Sequence, residues 1–265
     1  MNILDAMMER RSVRNFDGEP ISAEQKQLLI DFADSVSKSS PLHGGVTIRL
    51  KEFDIKNGFR PSTYGTITGA CNFFLVAIDS EPMSALAAGY IFEQVVLKAT
   101  CLNLGTCWIA ATFKGTDFDH DTTWPSGQQL RIICPIGLAS KQSLRAKITR
   151  FACGSSNRKQ AEKLFFFENF SSPLPTNNRF FESLDMLRRA PSSVNSQPWR
   201  ALVIDSSVHF YYKPKSNLSI LDCGIGLCHF HETEKFRGSN GTFSIISSPP
   251  SPPDDWQYLI SYNLP

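Results

Sequence analysis

Apolar residues along this chain fall into two patterns, sets spaced at a helical period and short unbroken runs. Ile3, Leu4, Met7 and Met8 share one face behind Asn2, a capping residue, with Asp5 at the third helical position, so a short helix is expected at the start. Ser22-Ala23-Glu24-Gln25 is a capping box, and Leu28, Leu29, Phe32, Ala33 and Val36 follow at the spacing of a second helix. Val46 to Phe53 reads as a strand. Phe73 to Ile78 is apolar throughout, with polar neighbours only at its ends, and reads as a buried strand. In the next segment Ala87, Ala88, Ile91, Phe92, Val95, Val96, Ala99 and Leu102 cover more than one face. That leaves Glu93, Gln94 and Lys98 for water, so the spacing predicts a central helix buried on most sides and ended by Asn103 and Gly105. Cys107 to Phe113 reads as extended, and Leu130 to Leu138 as a strand whose Pro135 suggests an edge or a bulge.

The later part repeats the vocabulary. Phe180, Leu184 and Leu187 face inward on a helix expected over 179–189. Ala201 to Ile204 and Val208 to Tyr212 form a hairpin turning at Asp205-Ser206-Ser207. Leu221 to His231 reads as a buried helix in which Gly224 and Gly226 permit close packing, and strand-like 243–246 and 256–262 complete the chain. No strict repeat is visible by period. Ser171 to Asn178, rich in Ser, Pro and Asn, is the candidate boundary.

Composition narrows the class without naming a function. With 265 residues, 42% hydrophobic and 20% charged, the chain has enough apolar mass for one large domain or two modest ones. A net charge of +2 and the lack of a basic stripe argue against nucleic acid. The apolar runs are too short to span a membrane, and Met1 to Asp5 lacks the pattern of a signal peptide. Seven cysteines without framework spacing suit reduced thiols, and a cytoplasmic location is expected.

Four segments carry candidate chemistry. Arg10, Arg11, Ser12 and Arg14 can converge on an anion, or the arginines can simply complement the negative end of the preceding helix. Within Cys107 to Phe113 the small side chains of Ala110 and Ala111 let a flat ring approach the backbone, although an ordinary core strand explains them too. Arg158 and Lys159 form a second basic spot, or a surface charge pair. Between a helix and a strand lies Ala190-Pro191-Ser192-Ser193-Val194-Asn195-Ser196-Gln197-Pro198-Trp199, where two prolines hold the backbone extended and the Ser, Asn and Gln side chains offer polar groups. Read alone, it is a helix stop and a polar turn. Cys223, Cys228, His229 and His231 fit no zinc spacing and read as a core helix with incidental histidines, so no metal is expected. No Ser/His/Asp or Cys/His set calls for a nucleophile, and no side chain is assigned as a catalytic acid or base.

Taken together, Arg10 to Phe16, the buried helix running into Leu104-Gly105-Thr106-Cys107-Trp108-Ile109, Arg158-Lys159 and Ala190 to Trp199 resemble the FMN-dependent nitroreductases. The resemblance implies an α+β, nitroreductase-like fold with FMN as cofactor. It gives Arg10, Arg11, Ser12 and Arg14 to the phosphate and ribityl chain, with Arg14 also near the pyrimidine edge. Ile109, Ala110 and Ala111 face flavin N5, Arg158 and Lys159 are late phosphate contacts, and Pro191, Ser192, Ser193 and Asn195 are contacts from the loop. In that family the loop follows the second helix of the repeat that carries the arginine motif; here Ser39 to His43 holds only a remnant there. The departure implies two similar halves fused as an intrachain pseudo-dimer, residues 1–168 carrying the phosphate site and residues 169–265 a truncated half supplying the loop. A monomer with one flavin per chain is expected. The implied reaction passes electrons from NAD(P)H to nitroaromatic, quinone or similar electron-poor acceptors by a ping-pong mechanism. A non-catalytic flavin-binding carrier or sensor, or a flavin enzyme of other outcome such as a dehalogenase, stays open as an alternative.

Overall fold

The computed structural model describes residues 1–56, 58–140, 157–253 and 255–265. It divides into two compact units, Met1–Ala152 and Cys153–Pro265.

In the first unit, α1 (Ile3–Glu9) and α2 (Ala23–Ser39) both start with the reciprocal capping bonds that the sequence implies, Asn2 with Asp5 and Ser22 with Gln25. Four strands follow, β1 (Val46–Glu52), β2 (Asn72–Ile78), β3 (Gly105–Thr106) and β4 (Gln129–Gly137), paired antiparallel in the order β1-β2-β4-β3. The long helix α3 (Pro82–Cys101) precedes β3, and a single turn, α4 (Thr116–Asp119), precedes β4. Burial of α3 goes further than its spacing predicts: Glu93 and Gln94, expected to face water, are buried with the rest. The expected strand over 107–113 is a correction of another kind. Only Ile109 pairs, through a bridge to Ile133, and the chain then bends away toward α4. Contact between β4 and its β3 side breaks at Cys134-Pro135, between the Thr106↔Ile136 pair and that bridge. Proline has no N–H to continue the ladder.

The first described element of the second unit is a 3-10 turn (Ala161–Lys163), so Arg158 and Lys159 precede a single turn and a strand. Its elements are β5 (Phe165–Phe167), β6 (Asn169–Pro173), α5 (Phe181–Arg189), β7 (Trp199–Ile204), β8 (Ser207–Tyr212), α6 (Ser219–Phe236), β9 (Thr242–Ser244) and β10 (Gln257–Asn263). The strand order is β6-β5-β7-β8-β10-β9. β5 pairs in parallel with β7, Phe165 to Phe167 against Ala201 to Val203. That ladder joins residues 165–167 to the sheet of the second unit, and part of the Ser/Pro-rich stretch forms the edge strand β6.

The two units are built on one pattern. Helix, hairpin, long buried helix, short strand and closing strand succeed one another in both. The sheet orders β1-β2-β4-β3 and β7-β8-β10-β9 match, with every pair antiparallel. In both, the long helix has no polar face because it packs beneath its own sheet and beside the preceding helix. Gly226 in α6 is one reason the fit is close, since a Cβ there would lie 3.2 Å from both Leu187 and Trp199. No helix among the described residues is long and apolar enough to cross a membrane.

Candidate functional site

In the first unit the arginine segment leaves α1 at Arg10 and runs extended beside β3. Val13 donates to the Thr106 carbonyl at 2.8 Å, Phe16 donates to Thr68 O at 2.9 Å, and Thr68 donates back to Arg14 O at 2.9 Å. Two glycines allow this close course. A Cβ on Gly105 would lie 2.7 Å from Val13 Cγ2, and Gly69, at φ +72°, would bring a Cβ to 2.4 Å from the Phe16 carbonyl.

The four motif residues are not equivalent. The Arg10 side chain is only 8% exposed, and its Nε lies 3.9 Å from Oε1 of Glu93, which is wholly buried on α3. The other Glu93 oxygen accepts from Trp108 Nε1 at 2.7 Å. Glu93 therefore joins the arginine segment to the segment leading into Ile109, and Arg10 is neutralised in place. Arg11 is exposed, Ser12 and Arg14 are half-buried, and neither Arg11 nor Arg14 has a side-chain partner among the described residues. A cavity of about 160 Å³ beside the turn is lined by Glu9, Arg10, Arg11, Val13, Thr100 and Asn103 among others. Beyond Ile109, Ala110 is half-buried and Ala111 exposed, and the amide N–H of neither has an acceptor among the described residues.

In the second unit the structure brings Arg158 and Lys159 onto the 190–199 loop. Arg158 donates to Asn195 Oδ1 and, at 2.7 Å, to the Arg189 carbonyl. Lys159 Nζ donates to Ser196 O at 2.5 Å and Gln197 O at 3.2 Å, while its amide donates to Gln197 Oε1 at 2.9 Å. Burial, together with the charges of Arg200, Lys215 and Lys213, pushes the Lys159 pKa down to about 8. Asn195 Nδ2 reaches the Asn157 carbonyl at 2.8 Å, and the Gln197 amide N–H reaches Ser192 Oγ at 3.0 Å. The polar groups expected to be on offer at the surface are thus largely spent inside the unit, because the half-buried cations need carbonyl and amide acceptors. Pro191, Ser192 and Ser193 stay half-buried around a one-turn 3-10 segment, Ser193–Asn195.

Two residues of this region escape sequence reasoning. Asp222, 3% exposed in the first turn of α6, accepts from the Ser193 amide at 3.0 and 3.1 Å through its two oxygens, and from Ser196 Oγ at 3.2 Å. Burial raises its pKa to about 7 against the opposing effect of those bonds. Arg200, also buried, donates through Nη1 to the carbonyls of Gln197, Pro198 and Trp199 and lies 5.2 Å over the Trp256 ring. The only available signals are a charge inside an apolar helix and a charge inside an apolar strand. As for a metal, His229 Nδ1 meets the Met186 carbonyl at 3.2 Å and His231 packs on Phe243 and Tyr262, its pKa pushed down to about 4 mainly by burial. Among the described residues no three His, Cys, Asp or Glu side chains form a metal-holding group.

Two α+β units of the same strand order, one bearing the arginine segment and one the Pro/Ser/Asn loop, define a protein of the nitroreductase-like fold. A solved structure shows the likeness over the whole molecule: a putative nitroreductase of Thermotoga maritima superposes with a TM-score of 0.62 at 18% identity, covering 100% of this chain and 94% of that one. The chain belongs to the family described as "Putative TM nitroreductase", whose model matches residues 2–233. Shorter structures match part of the chain. A nitroreductase family protein of Clostridium novyi gives a TM-score of 0.41 at 16% identity, covering 65% of this chain and 97% of its own. A putative nitroreductase of Desulfovibrio desulfuricans, solved in complex with FMN, gives 0.40 at 19% identity, covering 56% and 95%. No curated protein matches the chain.

Proposed function

We propose that this chain is an FMN-dependent oxidoreductase that takes electrons from NAD(P)H and passes them, in ping-pong order, to nitroaromatic, quinone or similar electron-poor acceptors. Family membership supports the flavin, and one observation carries its assignment to these residues. Arg11 and Arg14 are two unpartnered cations on an extended segment that Thr68 and Thr106 hold in place. Their combined charge suits a phosphate dianion, and arginine's planar donors suit its oxygens. Arg10 is retained in the assignment with a smaller share, since Glu93 already balances it. Ser12 adds a hydroxyl donor. Arg14 is also proposed at the pyrimidine edge, where a fixed cation favours negative charge on the cofactor.

Ile109, paired to Ile133, anchors the segment from which the unpaired amides of Ala110 and Ala111 can donate toward the N5 side. When bound, FMN supplies the electron-carrying chemistry, and the protein's part is to hold it, orient it and set its charge environment. In the second unit Pro191, Ser192, Ser193 and Asn195 are proposed flavin contacts. Arg158 and Lys159 support them by fixing the loop and keep only their remaining donors for phosphate. The reading includes a monomeric chain in the cytoplasm, a setting supported by the six described cysteines, all of them unbridged. The test is direct. The purified chain should be yellow, carry one FMN, and oxidise NAD(P)H when a nitroaromatic or quinone is added. A chain that takes up no FMN refutes the reading, and one that holds FMN without oxidising NAD(P)H is a flavin carrier or sensor instead.

A further inference from the structure

The 190–199 loop is held in a costly shape. Val194, at φ 45° and ψ 30°, Asn195 at φ 54° and Gln197 at φ 47° are all left-handed, and none is glycine. Val194 is β-branched and 86% exposed, so neither its own side chain nor packing around it favours this backbone. Strain of this kind persists only where surrounding bonds over-determine it. Arg158 and Lys159 hold Asn195, Ser196 and Gln197 from one side, and two further bonds, one on each side of Val194, end on one atom group, the Asp222 carboxylate, which takes the Ser193 amide before the strained residues and the Ser196 hydroxyl among them. Asp222 is itself buried without an ion-pair partner among the described residues, a placement that costs stability and that the bonds it accepts offset only in part.

We infer that Asp222 is a positioning residue that locks the Ser193–Gln197 turn in its left-handed form, and that flavin binding by this loop depends on that lock. The inference rests on the proposed flavin function. Asp222 touches no ligand in this scheme; it acts by presenting Ser192, Ser193 and Asn195 in one arrangement, so that order is not lost again on binding. An amide has the same shape and keeps an acceptor for the Ser193 N–H, whereas a methyl group keeps none.

The test uses the full chain with FMN as the probe, together with hydrogen exchange of the FMN-free protein. Asp222→Asn should bind FMN within threefold of the wild-type Kd. Asp222→Ala should raise Kd at least tenfold and speed exchange over 190–197, with the hairpin of β7 and β8 still protected. A Kd within twofold for the alanine variant, or exchange that rises equally through α6 and the hairpin, overturns the inference. Should Asp222→Ala fail to fold, Ser196→Ala removes one of the same bonds from a half-buried position; it should raise Kd about threefold and speed exchange over 190–197, and no change in either overturns the inference. Wild-type protein that binds no FMN refutes the function instead, and the exchange arm alone then decides whether Asp222 holds the turn.

Discussion

Replacing Asp222 by asparagine should flatten the pH dependence of stability, and the size of the effect follows from the site. The carboxyl has an ordinary pKa of 3.8 and is raised to about 7 in the fold, chiefly by burial. Between those values the folded protein keeps a proton that the unfolded chain has released. The group's favourable contribution is therefore complete below about pH 4, declines as pH rises, and is lost by about pH 7. At roughly 1.36 kcal/mol per pH unit, the interval is worth about 4 kcal/mol, an upper figure because water and small movements relieve part of the burial cost. Asparagine does not titrate and fills the same space. Every other titrating group is common to both proteins, so the informative quantity is the difference in Tm between variant and wild type, measured from pH 4 to pH 8. It should grow in favour of Asp222→Asn by roughly 10 °C at the top of the range, taking a few degrees per kcal/mol for a unit of this size. A difference that stays flat from pH 4 to 8 would mean that Asp222 ionises normally and that its burial carries no such cost.

Three further outcomes follow from the same geometry. Arg11→Ala and Arg14→Ala should each weaken FMN binding about tenfold or more with Tm unchanged, because each removes a charge-assisted bond worth about 1.5–3 kcal/mol and no internal partner. Arg10→Ala should instead lower stability by about 3 kcal/mol, since it strands the buried Glu93; equal behaviour of the three variants in equilibrium binding and thermal melts refutes this division. Gly105→Ala drives a Cβ against Val13 and should cost about 1–3 kcal/mol in chemical denaturation, and Val13→Ala in the same chain should restore little of it, because the Val13 Cβ itself would still lie 2.8 Å from the new methyl. Val194→Gly should raise Tm by a few degrees, because glycine avoids the roughly 1–2 kcal/mol cost of a left-handed L-residue and loses less than that to chain entropy.

How much of this is legible in the sequence depends on whether a signal is local. The caps at Asn2 and Ser22 and the hairpin turn at Asp205-Ser206 are short-range, and all three stand where the residues predict. The arginine motif and the Pro/Ser/Asn loop are also visible, but not the division of labour inside them. Arg10 and Arg11 are adjacent and chemically identical in the sequence. Only the wholly buried Glu93, from a distant helix, makes one a structural cation and leaves the other unpartnered. Glu93 resembles the solvent face of α3 because a period cannot tell a charge that meets water from one that meets Arg10 and Trp108. Likewise Asn195 and Gln197 read as free because their partners, Arg158, Lys159 and Asn157, come from a segment more than thirty residues away.

The shared strand order explains why no repeat shows by period while the halves remain recognisable in structure. What the two units keep is a burial plan: a hairpin, then a long helix with no polar face, then a short strand beside the closing strand. Many apolar sequences satisfy that plan, so residue identity can drift while topology holds. The polar residues that break the plan are where the units differ. In α3 the buried acid Glu93 lies midway along the helix and holds Arg10 and Trp108; α6 buries two, Asp222 in the first turn, which holds Ser193 and Ser196, and Glu234 in the last, which holds Arg179 and Ser183. Glu93 and Asp222 each tether a segment proposed to contact the flavin, whereas Glu234 ties α6 to Arg179 and Ser183. A buried carboxylate is costly in an apolar helix, and its position in each unit follows the segment it must hold rather than the helix that carries it. Moving the acid should therefore fail even where the fold accepts it: Asp222→Ala combined with an acid introduced at Phe230, farther along α6, should leave the 190–197 turn as open to hydrogen exchange as Asp222→Ala alone, and restored protection would show that the acid need not stand in the first turn.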